Sequence, residues 1–252
     1  MFRKILKRVK WTILLCIIFV LLLYAGMVLL LDGMNIIDSE QTESMNNSSS
    51  SDSSSNNLNT TVSDENLQNL MKKSDEEVWA LLTDNKFKKK PTLSQMPRSQ
   101  MNDVITTIQV TVRTESGDLQ AGVRVNKALA DLFKAFFQDL YEYCPDFYVL
   151  ISESYNFKNK SNGEASSHAF GAAVDINAEY NPIGREPYTA EEYANLGDKE
   201  KHYVIYKDSK MVKIAKKYSL AWGGLWSGKK DNKHFSFIGD WSRTKTIQQY
   251  GS

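Results

Sequence analysis

The hydrophobic pattern opens with a charge-free run from Trp11 to Leu31. As a helix these 21 residues extend about 31 Å, the thickness of a bilayer core. Arg3, Lys4, Lys7, Arg8 and Lys10 precede the run, and Asp32, Asp38 and Glu40 follow it. That asymmetry predicts a transmembrane helix over 11–31, with a cytoplasmic basic tail over 1–10 and everything downstream outside the membrane. The run is long for the core of a signal peptide, and no small-x-small cleavage site follows closely, so a retained anchor is expected. Cys16 sits in mid-span, which argues against a lipoprotein.

Past the anchor the pattern becomes polar. Residues 32–73 read as a disordered linker, with Asn46 to Asn57 almost wholly Ser and Asn and nothing to bury. A coil of about 30 residues spans roughly 30 Å and acts as a tether. Periodic patterns return at Ser74-Asp75-Glu76-Glu77, a capping box ahead of Val78-Trp79-Ala80-Leu81-Leu82, and a folded domain is expected over 74–252. Ile108, Val110 and Val112 alternate with polar residues, and Val123 and Val125 follow in the same style, so strands are predicted there. Leu129, Leu132, Phe133, Phe136 and Leu140 recur at helical spacing and predict an amphipathic helix over 127–142. Further strands are expected at Phe147–Ile151, Ala173–Ile176 and His234–Phe237, and short helices at Thr189–Leu196 and Ser209–Tyr218. Ala221 to Trp226 reads as a glycine-hinged aromatic loop.

Composition adds exclusions. A net charge of +1 over 252 residues gives no case for a nucleic-acid partner. The basic run Lys86 to Lys90 reads as a solvated loop, with contact to an anionic wall polymer or lipid as the alternative. Cys16 and Cys144 are the two cysteines, one in the apolar run and one in the domain, so a disulfide between them is not expected.

The chemistry concentrates in two short stretches. Ser167-His168-Ala169-Phe170-Gly171-Ala172-Ala173-Val174-Asp175 holds a histidine and an aspartate seven residues apart. On a straight strand that offset separates two side chains by roughly 23 Å on opposite faces, and on a helix by about 10 Å of rise. Neither brings both to one ion, so the chain must bend, and Gly171 permits the bend. His168 is therefore placed on a loop and Asp175 on the strand. Downstream, Asp231 and His234 lie three apart in a turn and can face one cavity. Two histidines and one carboxylate can hold a zinc ion and leave a fourth position for water. A spare carboxylate beside such a site can serve as general base. Asp175 on an apolar strand needs a partner, which a metal supplies. His202 has no motif around it and is expected at the surface. Trp222 and Trp226 read as wall packing around the site, and Asn181-Pro182 as a turn. Ser166 and Ser167 have no setting suited to a serine nucleophile.

Taken together, Ser167-His168-x-x-Gly171-x-Ala173-x-Asp175-Ile176-Asn177, Asn181-Pro182, Trp222-Gly223-Gly224-x-Trp226 and Asp231-x-x-His234-Phe235 resemble the D-alanyl-D-alanine carboxypeptidase and L-alanyl-D-glutamate endopeptidase group of zinc peptidases. The likeness covers roughly residues 100–245. It implies an α+β fold with a small antiparallel sheet carrying the metal site and helices flanking it. It implies His168, Asp175 and His234 as ligands of one zinc ion, and Asp231 as the base that takes the proton of the attacking water. The implied substrate is a bacterial peptidoglycan stem peptide. The group usually carries an arginine upstream of the first histidine to stabilise the oxyanion. Tyr155-Asn156-Phe157-Lys158 stands there in this chain, so Lys158 is the residue expected in that role, with the charge but not the planar fork. Where members often have Glu after His-Phe, this chain has Ser236. The rival expectation is a wall-binding accessory module of an envelope machine with weakened or lost catalysis.

Overall fold

The two-residue alternation after Ile105 becomes a long hairpin in the computed structural model, which describes residues 61–250. Strands β1 (Ile105–Thr114) and β2 (Gly117–Asn126) pair antiparallel in unbroken register from Ile105 opposite Asn126 to Thr114 opposite Gly117. Ile108, Val110, Val112, Val123 and Val125 are buried, so one face of the hairpin supplies core. A short 3₁₀ turn, Lys127–Leu129, leads into helix α4 (Ala130–Tyr143). Leu132, Phe133, Phe136, Phe137 and Leu140 give α4 its buried stripe, as the helical spacing predicts. Ahead of the hairpin lie α1 (Thr61–Met71), α2 (Asp75–Leu82) and α3 (Arg98–Val104). Ser74 caps α2 reciprocally with Glu77, the capping box read from the sequence.

A second, smaller sheet follows the order β3-β4-β6-β5 and is antiparallel throughout. Its strands are β3 (Ile151–Glu153), β4 (Ala173–Ile176), β5 (Ala221–Trp222) and β6 (His234–Ser236). Short helices α5 (Ala190–Ala194), α6 (Asp198–Lys201) and α7 (Lys210–Lys217) lie between β4 and β5, and α8 (Arg243–Tyr250) closes the described chain. Thr189 and Ser209 are the N-caps of α5 and α7. The domain is thus α+β, with helices around small antiparallel sheets.

Phe136 on α4 meets Phe235 on β6 with ring centroids 5.8 Å apart, which anchors the small sheet to the main helix. Asn126 ties the hairpin to the turn before β4. Its N–H donates to Gly171 O, its Nδ2 donates to Leu82 O and Phe170 O, and its Oδ1 caps Ala128 N. Arg243, almost fully buried, donates to Ser219 O, Phe237 O and Met71 O, so the C-terminal helix ties the end of α1 to the residue just after the strand that carries His234. Burial pushes its pKa down to about 10.

Several expectations need correction. The linker expected through residue 73 gives way at Thr61 to α1, where Leu67 and Met71 are buried at helical spacing. The strand expected over 147–151 forms only at its end. Tyr148 N donates to His202 O and Val149 N to Arg113 O, so the backbone turns between two partners and no ladder forms. His202 is half-buried, stacked on Tyr148 at 4.4 Å with its Nδ1 against Asp146 O. In the basic run Lys90 is drawn inward, its Nζ donating to Gly239 O. Among the described residues no helix is long and apolar enough to cross a membrane. The expected span over 11–31 and most of the expected linker lie outside the described residues.

Candidate metal centre

Ser166 caps the 3₁₀ turn Ser167–Phe170, its Oγ accepting from His168 N. Gly171 ends the turn at φ 61°, in the left-handed region, and a Cβ there would run into the Asn126 backbone. The bend predicted between His168 and Asp175 is therefore held by a glycine that no other residue replaces without strain. The chain then enters β4, every residue of which is buried.

Register does the rest. Asp175 on β4 pairs with His234 on β6 and with Glu153 on β3, so three side chains form a row on one face of the sheet. His168 reaches the row from its turn. Its Nε2 lies 3.1 Å from Asp175 Oδ1 and 3.2 Å from His234 Nδ1, and His234 Nδ1 lies 2.8 Å from the same Asp175 oxygen. The three donor residues are buried and converge as one group.

The outer nitrogens determine what the inner ones can do. His168 Nδ1 lies 2.8 Å from Ser154 O, a pure acceptor, so this nitrogen carries the hydrogen and Nε2 presents a lone pair in the neutral ring. His234 Nε2 lies 2.9 Å from Asp240 Oδ2, which likewise leaves Nδ1 as the lone-pair nitrogen. Two nitrogen lone pairs and a carboxylate oxygen then point at one another, an arrangement that calls for a cation at its centre. From the three separations the circle through the donors has a radius of about 1.8 Å, inside the roughly 2.0–2.2 Å at which zinc binds nitrogen and oxygen. One ion therefore reaches all three atoms without moving any of them.

Charges around the centre agree with this. Burial alone would raise the carboxyl pKa of Asp175, but its contacts with His168 and His234 hold it far below the usual range. Asp240 is held low in the same way by His234, with Ser167 and Lys160 assisting. Burial opposes a charge on His234, yet Asp175 and Asp240 outweigh it and push its pKa up to about 10. In the metal-free protein a proton on Nδ1 thus takes the cation's place.

Asp231 is buried, outside the convergent donor group. Its backbone oxygen accepts from His234 N, which forms the predicted turn. Its Oδ1 is 2.8 Å from Lys233 Nζ, which also lies 2.9 Å from Asp175 Oδ2, so a lysine bridges the expected base to an expected ligand. Lys158 stands at the rim and is fastened to Glu153. Contacts of 2.8 Å from Lys158 Nζ to Glu153 Oε2 and 3.7 Å onward to His168 Nε2 place the ammonium within about 6.5 Å of that nitrogen. Trp226 packs with its ring 5.4 Å from that of His234, and Trp222 is fully buried with Nε1 donating to Asn232 O. Asn181 bonds Asn177 O, Tyr203 O and Ile205 N, the loop-shaping part its motif suggested. Ser236 Oγ is buried without a hydrogen-bond partner among the described residues.

Three residues at the centre carry no sequence signal that singles them out: Glu153, Lys233 and Asp240. Lys233 sits inside the second motif, but its bridging part needs the β4–β6 register. Glu153 is brought in by pairing across β3 and β4, and Asp240 by the turn after β6.

Residues 159–237 match the family model described as D-alanyl-D-alanine carboxypeptidase. The match takes in His168, Asp175, Asp231 and His234, starts just after Lys158 and ends before Asp240. No curated protein and no solved structure gives a significant match. The matched family and the His–Asp–His group together support a metal-dependent peptidase that acts on peptidoglycan.

Proposed function

We propose that this chain is a membrane-anchored zinc peptidase that hydrolyses peptidoglycan stem peptides, at a D-Ala-D-Ala or an L-Ala-D-Glu bond. The observation that carries it is the convergence of His168 Nε2, Asp175 Oδ1 and His234 Nδ1, with both imidazoles oriented by outer acceptors. A two-nitrogen, one-oxygen donor set suits zinc at a catalytic site, and three protein ligands leave a position for substrate or water. A zinc ion held there polarises a carbonyl and acidifies water.

The chain's own residues supply the remainder. Asp231 is the general base. Lys233 occupies Oδ1, so Oδ2 takes the proton and delivers it to the leaving amine. Lys233 also sets its ammonium between Asp231 and Asp175 and contacts each carboxylate. Lys158, at the rim, is the cation placed for the oxyanion, and its tie to Glu153 limits the positive charge it offers there. The apolar run at 11–31 anchors the protein with the domain outside the cell membrane, within reach of the wall.

The accessory-module reading draws on one observation, that Lys158 is tied to Glu153 through both carboxylate oxygens. Metal analysis of the full chain with incubation on purified muropeptides separates the two. The enzyme reading expects about one zinc per chain and a product of defined mass. A zinc-loaded protein that binds muropeptides and leaves them uncut supports the module instead.

A further inference from the structure

Glu153 lies outside the residues that match the family model and outside the motifs that point to the centre. It is nevertheless the direct cross-strand neighbour of Asp175, and its side chain is only 20% exposed. Its Oε1 accepts from Asn156 Nδ2 and Lys158 Nζ, and its Oε2 from Lys158 Nζ at 2.8 Å. The same Oε2 faces His168 Nε2 at 3.7 Å. The carboxylate thus touches the ammonium with one side and looks onto the donor group with the other. Among the described residues the two other lysines that contact the centre's acids are also engaged: Lys233 with Asp175 and Asp231, and Lys160 with Asp240 and Glu164.

This bears on which bond the centre accepts. A peptide cut at its last bond carries a free carboxylate one residue, about 3.8 Å, from the scissile carbonyl. That carboxylate needs an available cation, and Lys158 is masked. Accepting the peptidase reading above, we propose that Glu153 is a specificity-determining residue. It neutralises Lys158, so the rim offers no net positive charge to a free carboxylate, and the site takes internal amide bonds and disfavours substrates ending in a free carboxylate beside the scissile bond. The Glu153 charge alone, acting on a substrate carboxylate some 6 Å away, changes binding by roughly threefold in bulk water and roughly a hundredfold at an effective dielectric near 20. A partly exposed rim lies between these limits, which sets the expected discrimination at about tenfold.

The test uses the zinc-loaded full chain and two probes, an acylated dipeptide ending in D-alanine carboxylate and the same dipeptide as its C-terminal amide. Binding is measured by calorimetry and cleavage by product mass. Wild type is expected to prefer the amide. Glu153→Gln, which keeps size and shape, should shift the affinity ratio toward the carboxylate by about tenfold with zinc content unchanged. Lys158→Met should shift it the other way. A ratio that moves by less than about threefold in zinc-loaded Glu153→Gln overturns the inference, as does failure of both probes to bind wild type. If wild type binds the probes but cleaves no peptide of any composition, the peptidase reading fails on its own, and the affinity ratio still decides the part played by Glu153.

Discussion

Replacing Asp240 by Asn tests the orientation of His234 more sharply than removing the side chain. The aspartate uses both oxygens: Oδ2 accepts from His234 Nε2 at 2.9 Å, and Oδ1 pairs with Lys160 Nζ at 3.1 Å. Asparagine has one acceptor for these two donors. If its oxygen faces Lys160, its NH₂ faces His234 Nε2 and forces that nitrogen to be the acceptor. The ring hydrogen then moves to Nδ1, the atom the metal requires. If its oxygen faces His234, the NH₂ confronts an ammonium. The first arrangement abolishes the metal-binding tautomer, and the second keeps it only at the cost of an amide NH₂ set against the Lys160 ammonium. Loss of such an outer partner typically lowers metal affinity by about 10- to 100-fold, or about 1.4–2.8 kcal/mol. Both side chains are little exposed, 5% for His234 and 7% for Asp240, which argues for the upper part of that range. Competition against a chromogenic chelator at constant pH measures it. Asp240→Ala, which removes the acceptor without supplying a donor, should weaken binding less than Asp240→Asn. A dissociation constant for Asp240→Asn within about threefold of wild type would refute the tautomer argument.

Three further outcomes are expected. His168→Ala and His234→Ala should each lose near-stoichiometric zinc, measured by elemental analysis, since three ligands leave no redundancy; a His234→Ala protein with one zinc per chain removes that residue from the site. In the metal-free protein the His234 proton, held up to about pH 10 against an ordinary value of 6.5, contributes stability in full below about 6.5 that is lost as pH rises toward 10. Metal must displace that proton, so zinc uptake near neutral pH should release it and affinity should fall as pH falls; calorimetry in buffers of different ionisation enthalpy that shows no proton release would contradict this. Protease added to intact protoplasts should release the domain; protection until lysis would reverse the proposed topology.

The candidate donors were legible from the motifs that carry the resemblance, and the bend between His168 and Asp175 from a local constraint. An offset of seven cannot meet one ion on a regular strand or helix, so Gly171 had to bend the chain, and it does so in the left-handed region. The hairpin and α4 were legible from periods of two and 3.6. Glu153 and Asp240 were not, because each reaches the centre through contacts that no local pattern encodes: cross-strand register for one, the turn after β6 for the other. Helix α1 was hidden by the polar composition around it, with Leu67 and Met71 as its buried contacts. Residues 147–150 read as a strand because they are apolar, but Asn177 holds them instead, its side chain bonding Tyr148 O and Leu150 N.

The centre's assignment as a peptidase rests most directly on Asp231, which is buried beside the donors yet outside the donor group. Asp231→Asn keeps size and shape and removes the basic oxygen. Zinc content and product mass should be followed together for wild type and variant on the same muropeptide. Equal zinc is expected in both, with hydrolysis by the variant at least roughly a hundredfold slower, within the usual range for a general base. Zinc lost from the variant would make Asp231 a ligand, and equal hydrolysis by both proteins would contradict the account.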